Sequence, residues 1–449
     1  MLKSNIAWMK KNVPSDLKVW KGMIQDIDWS QVAAKTKLSL QRDKDRITAE
    51  FKEFAAMDTS AKIDWLMNGD RHLGYLYKKD AIAFARREWK GLKSVGYDFV
   101  GWLKIWGGML NMVMKDPMSI MLAVFEYHWF ASYLATPAVV DRSVFGRRGK
   151  LLQADFDMWV AITHWAEDLI ANLIMADAKI GGNQKINKRI IMFDEMTMAQ
   201  MMAGFPNLLG IPYQMIPVFM VSEMDQLTLI PYIDAIESYG LPSDTCPLPT
   251  AECGCAVKDE YPMCGQGFIA SSMPCDGSVM ATSFQDRRFS KFMPSYPLCM
   301  PVRYDDEDTT EMAAADMKDC IHWVEGLTGE TWNWDTYFAT MEKMNECTRL
   351  EMEKWEINKT HYPQLVGSSF ELFRKWNYEM DGGLFPEGLK TQRKICKTMM
   401  ETYEKKLPAY VGGYEKYRAL IWSCPAHFYA NFSNWLANCW GIYALTEME

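Results

Sequence analysis

From the start of the chain to about Pro137, apolar residues recur at roughly 3.6-residue intervals, which predicts helices rather than strands. Tryptophan is spread across them, at Trp8, Trp20, Trp29, Trp65, Trp89, Trp102, Trp106 and Trp129. The pattern predicts a Trp-rich helical extension over residues 1–145. Its plain role is core packing and subunit contact, and the apolar run Phe99–Met114 is the part suited to docking on a partner. After Arg147-Arg148-Gly149 the spacing predicts a long amphipathic helix over Leu151–Ala178. Gly181-Gly182-Asn183 follows, residues that suit a helix stop.

The pattern then changes. Lys188–Phe193, Gly267–Ser271 and Pro297–Val302 are short apolar runs of strand length, with helical spacing at Thr197–Ala203 between the first two. Strands alternating with helices predict an α/β fold, a Rossmann-like parallel-sheet domain with large helical additions, here over residues 146–304. The acidic run Asp305–Asp308 reads as the solvated start of a helix over Glu311–Leu327, since acidic side chains favour a helix N-terminus. The chain stays helical to about Leu407, with interruptions near Pro363–Ser369 and at Gly382-Gly383, which sets a helical segment over 305–414. Arg418–Trp422, a helix over Phe428–Asn438 and Gly441–Leu445 read as the start of a second α/β domain over 415–449. One βαβ unit is too little for a stable sheet, so this domain reads as truncated.

Length and composition narrow the function. A chain of 449 residues, 49% hydrophobic, can bury two or three cores. The first 100 residues hold 19 Lys plus Arg against 13 Asp plus Glu, leaving 30 against 44 beyond. The net charge of -8 therefore covers a mildly basic head on an acidic body, an asymmetry too small to argue for nucleic acid. Met1 to Lys11 has no unbroken apolar stretch and no small-residue cleavage site, so secretion is not indicated and a cytoplasmic location is expected. The stretch Met118–Val140 is interrupted by Glu126 and His128 and by Pro137 near its end, so it reads as a buried or partner-facing helix, not a membrane span.

Six of eleven cysteines fall between Cys246 and Cys299. In a reducing compartment, clustered thiols indicate metal binding or catalysis before disulfides. Cys253-Gly-Cys255 with Cys246 and Cys264 could form a zinc or cluster site of its own, because C-x-C can place two thiolates on one metal. The other reading of Cys253, Cys255, Cys264 and Cys299 is that of bystander thiols. His322 and His427, each beside aromatic or apolar residues, read as hydrogen-bonded core residues rather than ligands. No G-x-x-x-x-G-K-S/T phosphate loop occurs, so ATP chemistry is expected elsewhere.

Several motifs in order resemble the activator-dependent 2-hydroxyacyl-CoA dehydratases and their benzoyl-CoA reductase relatives. They are the strand and helix Arg189–Gly210, Leu241-Pro-Ser-Asp-Thr-Cys246, Phe268-Ile-Ala-Ser-Ser-Met-Pro-Cys275-Asp-Gly277, Leu327-Thr-Gly-Glu330 with Trp334-Asp335, Gly367–Phe373, and Ile421-Trp-Ser-Cys-Pro425 with Gly441–Ala444. The resemblance covers about residues 150–449. It implies a [4Fe-4S] cluster held by three cysteines, with Cys246 and Cys275 as the first two ligands. It also implies a paralogous partner subunit across a shared cleft, a separate ATP-dependent iron-sulfur activator, and an acyl-CoA substrate. The family's third cysteine lies further into the second α/β domain than this chain runs, which leaves Cys424 or Cys439 as substitutes, a fragment, or a subunit that has lost or changed its cluster as the explanation. Where substrate-binding relatives carry a Ser after the first strand and a Glu beside Tyr-Pro, this chain has Phe193-Asp194 and Ile211-Pro-Tyr-Gln214, which removes the carboxylate from the Glu position. No catalytic residue is assigned.

The chemistry so implied is elimination of water from a 2-hydroxyacyl-CoA. The β-proton is hardly acidic until one electron enters the thioester carbonyl; the resulting ketyl expels the hydroxyl, and the β-proton then becomes acidic. A cluster with one open iron supplies a Lewis acid and the electron. Cys275-Asp-Gly277 resembles the benzoyl-CoA reductase branch more than the C-N-N of dehydratase subunits, so an acyl-CoA reductase subunit is the alternative. A cluster-free or zinc-binding scaffold subunit is the alternative of another class.

Overall fold

The computed structural model describes residues 29–68, 91–144, 147, 149–193, 199–241, 245–271, 276–289, 291–299, 301, 306–366, 385–407, 409, 415–422 and 436–448. In chain order the first part is helical, as its spacing predicts: α1 (Trp29–Ala56), α2 (Thr59–Asn68), α3 (Leu92–Lys115), α4 (Pro117–Glu126), a 3-10 stretch over His128–Ala135 and α5 (Thr136–Ser143). The long helix α6 (Gly149–Ala176) begins two residues before the periodicity suggests. The run Met118–Val140 is not one helix: Tyr127 is extended, with φ -118° and ψ 117°, and turns the chain between α4 and the 3-10 stretch. Among the described residues no helix is long and apolar enough to cross a membrane.

Helix α6 is buried almost all round, with 20 of its 28 residues inside, as a helix apolar on every side requires. Helix α3 lies on it through a stripe of Gly101, Ile105, Gly108 and Met112. The glycines set the closeness of that crossing: a Cβ at Gly101 would stand 2.3 Å from the Phe156 ring, and one at Gly108 would stand 2.1 Å from Glu167 Oε1. The opposite stripe of α3, Phe99, Leu103, Trp106, Leu110 and Met114, is apolar and exposed, so the Phe99–Met114 run presents two apolar faces.

After α6 come the short α7 (Gln184–Asn187), β1 (Ile190–Phe193), β2 (Leu209–Pro212), a π-helical turn over Met215–Phe219, α8 (Met220–Met224), α9 (Ile230–Glu237), α10 (Pro247–Val257), β3 (Gly267–Ser271), α11 (Asp276–Phe289) and β4 (Ser295–Leu298). The four strands form one sheet in the order β2-β1-β3-β4, parallel throughout. The α/β fold with helical additions is thus what the molecule has. Period-2 alternation divides β1 between two cores: Ile190 and Met192 face the large core built on α6, while Ile191 and Phe193 face a second one with Cys320, Val324 and Trp332. Strand β4 starts and ends earlier than Pro297–Val302 suggests. Thr197–Ala203 yields only a 3-10 turn over Ala199–Met202, residues 194–198 lying outside the described set.

Helix α12 (Glu307–Thr328) starts four residues before Glu311, because Asp306 caps it by accepting a hydrogen bond from Thr309 N at 2.7 Å, the role read from the acidic run. His322 is exposed and pairs with Glu325 at 2.9 Å, so it is a surface residue and not a core one. Helices α13 (Trp334–Asn358) and α14 (Pro386–Glu404) pack together, and α14 lies on α6. Strands β5 (Tyr417–Trp422) and β6 (Ile442–Met448) form a separate parallel pair. Between them a π-helical turn occupies Leu436–Trp440, where the sequence predicts the end of an α-helix. Arg147 ties this end of the chain to α6. Fully buried, it stands 3.2 Å from Asp155 and donates to the carbonyls of Ala409, at 2.8 Å, and Val366.

Helix α10 is pressed against α9 so closely that a Cβ on Gly254 would stand 2.0 Å from the Tyr232 carbonyl oxygen. Gly254→Ala is therefore expected to destabilise the protein by about 1–3 kcal/mol through overpacking against backbone. Gly326→Ala, in α12 with open space around it, is expected to be neutral or stabilising by up to ~1 kcal/mol, since alanine is the better helix former. Urea titration of both variants measures the two shifts.

Candidate functional site

The crossover from β2 to the parallel β3 returns the chain to the amino-end side of the sheet, and α10, its last helix, meets the carboxyl end of β2 through the Gln214–Glu252 hydrogen bond. That carboxyl-end side is where open parallel sheets bind ligands. Cys246 is the N-cap of this helix and is exposed. Its carbonyl accepts from Thr250 N at 3.2 Å and from Thr250 Oγ1 at 2.8 Å, which fixes the start of α10 through the backbone. The peptide dipoles at a helix start favour an anionic group such as a thiolate or a cluster.

Cys275 lies outside the described residues. Its described neighbours are Ser271, the last residue of β3, and Asp276, the first of α11, and α11 packs on α10. Asp194, Cys424, His427, the segment Gly367–Phe373 and the side chain of Cys439 are outside the described set as well. Among the described residues no group of three or more His, Cys, Asp or Glu is arranged to hold a metal ion.

The C-x-C motif does not gather thiols. Cys253 and Cys255 sit two residues apart on α10, about 200° around its axis, and each enters a different core: Cys253 that of Ile236 and Ala281, Cys255 the large one around α6. Burial, with Glu252 adding its charge, pushes the Cys253 thiol up to about 12. Burial, with Asp177 adding, likewise raises Cys264 well above the usual thiol range. Cys264 rests with its sulfur 3.8 Å from Met192 Sδ. Pointing into separate cores, Cys253 and Cys255 do not converge on one point, as ligands of a shared metal must. The zinc reading of Cys246, Cys253, Cys255 and Cys264 is thereby corrected: the glycine between the two cysteines serves the close approach to α9, and the cysteines fill space beside it. Cys299 is exposed, its N–H donating to Asp316 at 2.5 Å.

A carboxylate that the sequence does not reveal lies next to Gln214. Glu252, on α10, accepts a hydrogen bond from Gln214 Nε2 at 2.5 Å, and both side chains are 2% exposed. Gln214 stands just after β2, immediately before the π-helical turn, an irregularity frequent at functional sites. Its Oε1 is buried with no hydrogen-bond partner among the described residues. Where the family pattern has one glutamate beside Tyr-Pro, this chain has an amide and a carboxylate from two elements. The only signal in the sequence was Glu252 lying six residues after Cys246 on a helix, which becomes informative once α10 is known to face the end of β2.

In native iron-free protein, Cys246 and Cys299 are expected to react with a maleimide, whereas Cys253, Cys255 and Cys264 react at least ~100-fold more slowly until the chain is unfolded. Mass spectrometry of time-resolved labelling reads the difference.

Residues 226–448 match the family described as 2-hydroxyglutaryl-CoA dehydratase, D-component. The matched span includes α9, α10 with Cys246, β3, α11 and both strands of the C-terminal pair. No curated protein matches the chain. Through residues 226–448 the chain belongs to the 2-hydroxyacyl-CoA dehydratase family, as a dehydratase component.

Proposed function

We propose that the chain is an iron-sulfur subunit of a radical-type 2-hydroxyacyl-CoA dehydratase, a lyase acting with a paralogous partner subunit and an ATP-dependent iron-sulfur activator. The family match over residues 226–448 carries the proposal. The exposed thiol of Cys246 at the start of α10, a helix that meets the end of β2 through Glu252 and Gln214, supports it. In this reading Cys246 and Cys275 are two ligands of a [4Fe-4S] cluster, and Cys253, Cys255, Cys264 and Cys299 are not. The donor set among the described residues fits one ligand position: Cys246 is exposed at a helix start, while Cys253 and Cys255 point into separate cores. When bound, the cluster supplies a single electron and Lewis-acid polarisation of an oxygen.

The chain's own residues have separate work. The N-terminus of α10 stabilises negative charge beside Cys246. The Gln214 amide holds the Glu252 carboxylate in one orientation by a hydrogen bond in a dry environment, where such a contact is strong. The tight seat of α10 on α9 at Gly254 fixes Cys246 and Glu252 on one rigid element. The acyl-CoA is bound jointly with the partner subunit, and the protein works in the cytoplasm, where its exposed thiols stay reduced.

Anaerobic assay of the chain with partner, activator and ATP tests the proposal. Consumption of a 2-hydroxyacyl-CoA is the expected result, with Cys246→Ser lowering turnover by at least ~100-fold while helix content is kept. Consumption of an aromatic acyl-CoA alone would move the chain to the benzoyl-CoA reductase branch, for which Asp276-Gly277 after Cys275 is the sequence argument. No turnover of either substrate by well-folded protein would leave the scaffold reading.

A further inference from the structure

Between α3, the 3-10 stretch, α6 and α8 lies a partly open cavity of about 40 Å³, outside the family match. A water needs roughly 10–15 Å³ measured in this way, so the space takes about three waters or a small organic molecule. Its wall is mainly methionine, isoleucine and aromatic surface, including Met109, Met112, Met220 and Met224. Methionine is flexible enough to reshape around a guest.

Five polar side chains interrupt this apolar wall, and the hydroxyls of three of them, Tyr133, Thr136 and Thr163, donate to the carbonyls of Ile216, Tyr133 and Trp159. Glu167 is 4% exposed, and its Oε1 is buried with no hydrogen-bond partner among the described residues. Trp159 is 3% exposed, and its Nε1 likewise has none. Both line the cavity, eight residues apart on α6, which is about 80° around its axis and roughly 12 Å along it. A buried, unsatisfied polar group carries a desolvation penalty, and two in one cavity call for an explanation. The carboxyl reaches its place only because Gly108 on α3 has no side chain to block it. Burial pushes the Glu167 carboxyl up to about 7, with Lys115 opposing, so near neutrality it is available both as acid and as carboxylate.

We propose that this cavity binds one small aliphatic alcohol, its oxygen accepting from the Trp159 indole N–H and its hydroxyl paired with the Glu167 carboxyl. An alcohol satisfies either form of the carboxyl, because its O–H donates to a carboxylate and its oxygen accepts from an acid. Its alkyl body meets the methionine and isoleucine wall. An alkylammonium ion would give up more hydration than a single half-protonated carboxyl returns in an apolar pocket, and an alkane leaves both polar groups unsatisfied. The cavity's far wall is α8, six residues after Gln214, and Tyr133 beside it donates to the Ile216 carbonyl in the π-helical turn at 2.5 Å. Occupancy is thereby in contact with the turn that follows Gln214, although the binding proposal does not rest on the dehydratase reading.

Saturation-transfer NMR and calorimetry with n-butanol, n-pentane and n-butylammonium, all of similar size, test it on the whole chain without cluster or partner. Saturable n-butanol binding is expected, with a Kd on the order of 0.1–1 mM given so few atoms, and at least ~10-fold weaker binding of the other two. Trp159→Phe is expected to weaken n-butanol about 3–10-fold, Glu167→Leu to abolish its preference over n-pentane, and Glu167→Gln, which keeps a donor and an acceptor, to retain most of it. Absence of saturable binding, equal affinity for n-pentane, tighter binding of n-butylammonium, or an unchanged affinity in Trp159→Phe would each overturn the proposal. The Trp159 and alkane arms hold even if Glu167→Leu does not fold.

Discussion

The close approach of α9 to α10 at Gly254 is the constraint on which the candidate site depends. A backbone carbonyl cannot retreat as a flexible side chain can, so only glycine fits there. With that contact made, α10 has one position, and its N-cap, Cys246, and its buried carboxylate, Glu252, are placed together with it. The two neighbouring cysteines then fall on opposite faces of α10 into two hydrophobic cores. One steric fact thus accounts both for the exposed cysteine that suits a cluster and for the two that do not.

A second set of contacts joins the N-terminal helices to the sheet. Asp177, just after α6, accepts from Tyr127 Oη and from the backbone N–H groups of Met263 at 2.7 Å and Lys179 at 3.1 Å. Burial raises its pKa while these donors oppose the rise. Glu260 similarly receives His128 N at 2.9 Å and the Tyr232 hydroxyl at 2.5 Å, and its carbonyl accepts from Trp129 Nε1 at 2.8 Å. The tryptophan-rich region is therefore bound to the loop that leads into β3, and the core around α6 runs from Ile105 to Met399.

Much of the architecture was legible because apolar periodicity survives in long elements. Strand β3 occupies Gly267–Ser271 as read, and α6 differs from its reading by two residues at each end. Strand β2 was missed: Leu-Gly-Ile-Pro is four residues with a breaker at two of them, and its pairing with β1 alone makes it a strand. Of the candidate site among the described residues, the sequence singled out Cys246 and, at the glutamate position, Gln214. C-x-C carries the same letters whether it binds a metal or lines a helix, and its meaning came from Tyr232, twenty-two residues before Gly254. The Gln214–Glu252 pair spans 38 residues and no local pattern joins them.

The central claim is that an iron-sulfur cluster is held at the start of α10. Iron and acid-labile sulfide determination on anaerobically purified protein, for the natural sequence and for Cys246→Ala, tests it most directly. About four irons and four sulfides per chain, as a [4Fe-4S] cluster requires, falling to near zero in the folded variant, is the predicted result. Well-folded natural protein without iron, or a Cys246→Ala variant that keeps its full complement, would contradict it.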